Sequence, residues 1–250
     1  MNRQLTEVGS TSLPKNRQRE LWHRYVLGVY DVMNRLTTEY PHILLENCSG
    51  GGARFDAGML YYMPQVWTSD NSDAIERLRI QYGTSLVYPM SAMSAHVSAS
   101  PNHQTAHVTP FDTRFTVALT GSFGYELDPT ALSEEEQKKV RETAELYKDI
   151  GEILAKGRYH RLRDPHNEPC SAWCTVSEDK SVCIAGYVLT HVRMAGNNER
   201  IALRGLDPDA VYKERFTGAT YRGDQLMNFG LHAPTTLEFH SILWILEKIN

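Results

Sequence analysis

Ile43-Leu44-Leu45-Glu46-Asn47-Cys48-Ser49 is a short apolar run that turns polar at once and then enters three glycines, Gly50, Gly51 and Gly52. A run this short, apolar on both faces and closed by polar residues, reads as a strand covered on both sides, and strands so covered are parallel ones linked by helices. The pattern recurs toward the carboxyl terminus. Apolar runs at 64–67, 85–88 and 115–119 end in Thr68-Ser69-Asp70-Asn71, Ser91-Ala92-Met93-Ser94 and Thr120-Gly121-Ser122. Helical patterns lie between and around them. Leu21, Tyr25, Val29 and Met33 form a four-residue stripe, and Ile75, Leu78 and Tyr82 share one face of a helix that starts near Ser72 and closes at a left-handed Gly83. Ser133 and Glu136 form a capping box ahead of Val140, Ala144, Tyr147, Ile150 and Leu154.

These are four strand-and-helix units in residues 1–156, whereas a closed eight-fold barrel needs about 250 residues. The expected fold class is therefore α/β, the carboxyl-terminal half of a (β/α)8 TIM barrel. The alternative is an independent small open sheet, which would leave the strands near Ile43 and Phe115 as bare edges. After AKGRY (155–159) the texture becomes strand-like: runs at 173–176, 181–188, 200–203 and 220–227 are separated by SEDKS, AGNNE, LDPDA and RGD turns. Residues 157–250 are expected to form a small antiparallel β-sandwich domain, with 242–246 as its terminal strand.

Composition narrows the function. The 250 residues are 41 % hydrophobic and 22 % charged, which excludes disorder, collagen and coiled coil, and 30 acidic against 26 basic residues leave a net charge of -4. There is no basic surplus for nucleic acid or an anionic membrane surface, no bilayer-length apolar stretch and no secretory h-region at the start, so a cytoplasmic protein is expected. Cys48, Cys170, Cys174 and Cys183 are too few for a disulfide framework. His160 and His166 ahead of Cys170 and Cys174 permit a zinc reading, but the spacing matches no common structural site, and buried cysteines on a strand are preferred.

Polar groups at the carboxyl ends of parallel strands converge, which directs the search for chemistry to Glu46–Asp56 and Trp67–Asn71. Three glycines let a backbone approach a ligand, although neither a dinucleotide spacing nor a P-loop is present; an uncharged sugar or a plain tight turn fits as well. Trp67 offers a ring for the C–H face of a sugar, and Asp70 a proton for a glycosidic oxygen; the competing reading of Asp70 is helix capping. Glycoside hydrolysis needs a second carboxylate. Asp56, Asp112, Glu126 and Asp128 are the candidates, none at a strand end as Asp70 is, and Asp56 is expected to pair with Arg54.

NCSGGGARFD (47–56), WTSDN (67–71), PNHQT (101–105) and FGYELD (123–128), in that order, closely resemble the carboxyl-terminal half of the α-galactosidases of glycoside hydrolase family 36. The resemblance covers essentially the whole chain. It implies an eight-fold barrel between β domains, a retaining mechanism on melibiose and raffinose-type oligosaccharides, no metal or cofactor, and tetramers in many members. Residue by residue, it implies that Asp70 is the acid/base and that Cys48, Gly50 and Gly51 line the galactose pocket, beside Trp67. The family nucleophile lies in a Lys-Trp-Asp-Met-Asn-Arg motif, and this chain begins Met1-Asn2-Arg3. Asn2 then matches a sugar-contacting residue, the nucleophile precedes Met1, and the chain is expected to be a truncated form, inactive alone. The alternative is a non-catalytic sugar-binding or assembly subunit that pairs with a separate amino-terminal half.

Overall fold

The computed structural model describes residues 8–48, 50, 55–193, 199–233 and 236–249. The chain divides into two compact units, Met1–Asp70 and Asn71–Asn250.

In the first unit, α1 (Glu20–Glu39) is followed by β1 (Glu46–Asn47), α2 (Ala57–Tyr62) and β2 (Gln65–Val66). β1 and β2 pair in parallel, Glu46 opposite Gln65 and Asn47 opposite Val66, as their linkage through a helix requires. The strand expected at 43–45 therefore begins only at Glu46, just past the end of that run. Ile43 and Leu44 are exposed, and only the following Glu46 and Asn47 join the ladder. α1 carries the expected stripe, yet none of its residues is buried.

The second unit opens with α3 (Ala74–Ser85), capped by Asp73 and burying Ile75 and Leu78. Gly83 lies inside α3 and is not a left-handed closing residue. β3 (Ser94–Ser98), α4 (Phe111–Ala118) and β4 (Ser122–Glu126) follow, with β3 and β4 parallel. Two of the four expected strands are thus corrected. Residues 85–88 end a helix and turn, leaving Leu86 and Val87 exposed, and the third strand lies at Ser94–Ser98. Residues 115–119 fall on α4 and its cap. That helix starts after Pro110 and is buried on every side, from Phe111 and Thr113 to Ala118, so no polar stripe marks its period. Among the described residues the parallel strands form two pairs, β1–β2 and β3–β4, in place of one continuous arc, and no full barrel is present.

α5 (Glu134–Lys156) begins with the expected capping box, in which Ser133 and Glu136 serve each other's backbone, and buries Ile150 and Leu154. The chain then enters a six-stranded sheet. β5 (Arg158–Arg163), β6 (Cys170–Val176), β7 (Val182–Leu189), β9 (Val211–Glu214), β10 (Thr220–Arg222) and β12 (Ser241–Lys248) lie in the order β10-β9-β12-β7-β6-β5, antiparallel throughout. β8 (Glu199–Ile201) and β11 (Leu231–Ala233) form a separate antiparallel pair. The expected strand at 220–227 is divided, because α6 (Gly223–Asn228) follows β10 directly.

Strand alternation gives the large sheet two apolar faces. Cys174, Cys183, Ala185, Tyr187, Trp244 and Leu246 enter one cluster with Ile201 and Leu231 of the small sheet. Trp173, Ile184 and Ile245 point the other way and pack with Phe115 of α4 and Ile150 and Leu154 of α5. The antiparallel sheet is therefore covered by strands on one face and by helices on the other, which refines the sandwich expectation. Cys170, Cys174 and Cys183 are buried on strands, as read. No helix among the described residues is long and apolar enough to cross a membrane.

Candidate functional site

Cys48 and Asp70 meet where the two short strands of the first unit end. Trp67 N–H donates to the Asn47 carbonyl at 2.8 Å, extending the parallel ladder by one bond past Val66. With Asn47 and Val66 buried as anchors, the residues just beyond them emerge side by side. The Cys48 thiol points at Asp70 Oδ1 across 3.9 Å, and both side chains are exposed. Trp67 is half-buried immediately after Val66 ends its strand, and among the described residues the buried Thr68 hydroxyl has no hydrogen-bond partner. Gly50 takes φ 61°, the left-handed region that favours glycine. Thus Cys48, Gly50, Trp67 and Asp70 all lie on the two loops that leave β1 and β2. Asn2 and Gly51 lie outside the described residues.

The competing reading of Asp70 fails on geometry. Asp73 is the N-cap of α3; its Oδ1 accepts from Ile75 N at 2.9 Å and Glu76 N at 3.0 Å. The other candidate carboxylates have structural work. Asp56 caps α2 through Met59 N at 2.9 Å and accepts from Tyr30 Oη at 3.1 Å; Arg54, its expected partner, lies outside the described residues. Asp112 binds Lys139 at 3.1 Å, Glu126 lies 3.9 Å from His96, and Asp128 accepts from Thr130, whose hydroxyl holds that carboxyl below its usual range.

Sequence reasoning missed a clamp at the start of the second unit. The loop after the cis Ser100–Pro101 bond folds onto the N-terminus of α3: Gln104 Oε1 accepts from Ser72 N at 3.1 Å, and Asn102 Nδ2 donates to Ser72 Oγ at 3.2 Å. Asp73 Oδ2 takes the Thr105 hydroxyl at 2.6 Å and faces His107 Nδ1 at 3.0 Å. Burial alone would raise the Asp73 pKa, but the hydrogen bonds from Thr105, the Glu76 amide and His107 outweigh it and hold the carboxylate below its ordinary range. The clamp fixes the two residues that follow Asn71, next in sequence to Asp70. Its only sequence signal was the polar string PNHQT, whose partners lie about thirty residues away.

Comparison with known proteins places this geometry. A family model described as Melibiase matches residues 1–157, and one described as the glycosyl hydrolase family 36 C-terminal domain matches residues 170–246. The chain is 48% identical over 251 residues to the α-galactosidase AgaA of Geobacillus stearothermophilus, covering all of this chain and 34% of that protein. It is likewise 48% identical to the α-galactosidase Mel36A of Lactobacillus acidophilus, again over 34% of the relative. A crystal structure of an AgaA variant in complex with raffinose matches the whole chain with a TM-score of 0.95, over 35% of that structure. The α-galactosidase structure from Lactobacillus brevis matches with a TM-score of 0.95 at 41% identity. This chain spans about a third of the length of the curated relatives it matches.

Proposed function

The chain belongs to the melibiase family of glycoside hydrolases, and from that premise we propose that it supplies the acid/base half of a retaining α-galactosidase site, on the second half of a TIM barrel whose sheet continues outside residues 8–249. The observation that carries this reading is the Cys48–Asp70 approach of 3.9 Å at the carboxyl ends of two paired parallel strands.

In this reading Asp70 starts as the carboxylic acid and gives its proton to the glycosidic oxygen as the bond to the anomeric carbon breaks. A second carboxylate attacks that carbon from the opposite face and forms a covalent galactosyl ester. Asp70, now a carboxylate, takes a proton from water; the hydroxide formed displaces the ester and releases galactose with retained configuration. Cys48, Gly50 and Gly51 approach the galactose ring, Trp67 stacks on its apolar face, and Asn2 contacts the sugar. Retention needs the two carboxyl groups about 5–5.5 Å apart. Asp56, Asp112 and Asp128 are committed to caps and an ion pair, which supports a nucleophile supplied from outside the described residues.

The test is complementation on melibiose, whose sugar leaving group needs a proton. The chain alone is expected to give no turnover; co-expression with the amino-terminal two-thirds of the Geobacillus relative is expected to restore it. In that complex Asp70→Asn lowers kcat by about 10²–10⁴-fold. Melibiose hydrolysis indifferent to Asp70→Asn would overturn the assignment of Asp70, and turnover by the chain alone would overturn the external nucleophile. A second reading, a non-catalytic subunit docking an amino-terminal half, is favoured by α1, where Trp22, Val26, Val32 and Leu36 all stand exposed. It predicts complex formation without hydrolysis.

A further inference from the structure

At the end of the large sheet, a cavity of about 280 Å3 lies between the turn that leads into β6, the end of β7 and the first residue of β8. We propose that this cavity binds a neutral polyhydroxylated ligand, a single sugar unit, on residues that share none with the Cys48 and Asp70 loops.

The first support is an orphaned donor. Tyr187 lines the cavity, is fully buried, and among the described residues its hydroxyl has no hydrogen-bond partner. Leaving such a group unmade is costly, so buried hydroxyls are nearly always satisfied by protein, water or ligand. The Cys170 thiol beside it is at best a weak partner. Burial, with the Glu199 and Glu168 carboxylates, pushes that thiol up to about 12, so it stays neutral. Burial likewise raises the Tyr187 phenol, which therefore remains a donor.

The second support is charge balance. Behind the wall, Arg163 Nη2 lies 2.8 Å from Glu199 Oε1 and its Nε 3.3 Å from Glu168 Oε2, while Arg193 is the guanidinium that lines the cavity. The charges of Arg163 and Arg193 together balance those of Glu168 and Glu199. His191 is paired elsewhere, with Glu238 at 2.8 Å. Such a wall presents no surplus cation to hold an anion and no surplus carboxylate to hold an amine or metal. It does present fixed acceptors and donors, the complement that hydroxyl groups need, with Leu189 as an apolar floor. Its volume lies just below the range of larger ligand pockets, which suits one ring and not an oligosaccharide.

The experiment is an NMR titration of the ¹⁵N-labelled chain with methyl α-galactoside, with inorganic phosphate and spermidine as charged controls. Amides at 167–170 and 187–191 are expected to shift saturably with the sugar and not with the controls. Tyr187→Phe should weaken that response about tenfold, the worth of one hydrogen bond, with the shifts at 67–70 unchanged. Glu199→Gln, which unbalances the wall by one positive charge, should weaken it too and let phosphate respond; it serves if Tyr187→Phe fails to fold. No sugar-dependent shift at 167–170 and 187–191, a stronger response to a charged control in the unaltered chain, or a titration unaltered by Tyr187→Phe would each overturn the proposal. Because the α-galactosidase reading is reported by amides 48–50 and 67–70, the two fail separately.

Discussion

Among the described residues of the Met1–Asp70 unit the buried apolar ones are Met59 and Val66, whereas in the Asn71–Asn250 unit they collect into three clusters built around a six-stranded sheet. The first unit carries Cys48 and Asp70; the second carries most of the buried surface. Burial of apolar area is the main favourable term in folding. The comparison teaches that the residues read as chemistry sit on loops that leave strands of two residues, held by little packing of their own, while stability resides where no catalytic residue is assigned.

The contrast is most open to attack in the sheet. Ile245 is fully buried between Trp173, Ile184 and the helices α4 and α5, so Ile245→Ala should lower the unfolding free energy by about 4 kcal/mol, read from the urea midpoint. A loss below about 1 kcal/mol would place the core elsewhere.

A middle-sized effect is expected at the clamp. Asp73→Ala removes a cap and strips partners from Thr105 and His107, and should cost about 2 kcal/mol. Because the folded pKa of Asp73 lies below its unfolded value near 4, its contribution is present above that pH and is lost as the pH falls through the folded pKa. The urea midpoint of the unaltered chain should accordingly fall more between pH 6 and pH 3 than that of Asp73→Asn; equal slopes would show that the carboxylate is not the linked group.

The smallest effect sharpens the comparison from the other side. Leu36→Ser on α1 replaces an exposed side chain and should change stability by under about 0.5 kcal/mol. A cost as large as that of Ile245→Ala would mean that this helix face is covered in solution.

These regions also differ in how readable they were. Cys48 and Asp70 were singled out because polar residues directly after an apolar run mark the end of a parallel strand, a local signal that survives even when the strand shrinks to two residues. The capping box of α5 is local too, its partners three residues apart. α4 was read as a strand because Phe115, Thr116 and Val117 favour strands and every neighbouring position is also buried, which erases the 3.6-residue contrast. β3 escaped because Ser94, Ser98 and His96 dilute a run whose burial comes from its surroundings. The Asp73 clamp was illegible for a different reason: its hydrogen bonds join residues more than thirty positions apart, and nothing local announces them.

Trp173 lies across Gly186 on the neighbouring strand, so close that a Cβ there would stand 2.6 Å from its ring, and among the described residues its indole nitrogen has no partner. An indole so enclosed emits at short wavelength. Trp244, nearly as buried, belongs to the same sheet, while Trp22 is half-exposed and Trp67 sits at the end of β2. The four tryptophans thus divide into a blue pair in the Asn71–Asn250 unit and a red pair in the Met1–Asp70 unit. Opening of the sheet is therefore read as a red shift of the Trp173 and Trp244 emission, against a background from Trp22 and Trp67 that changes less.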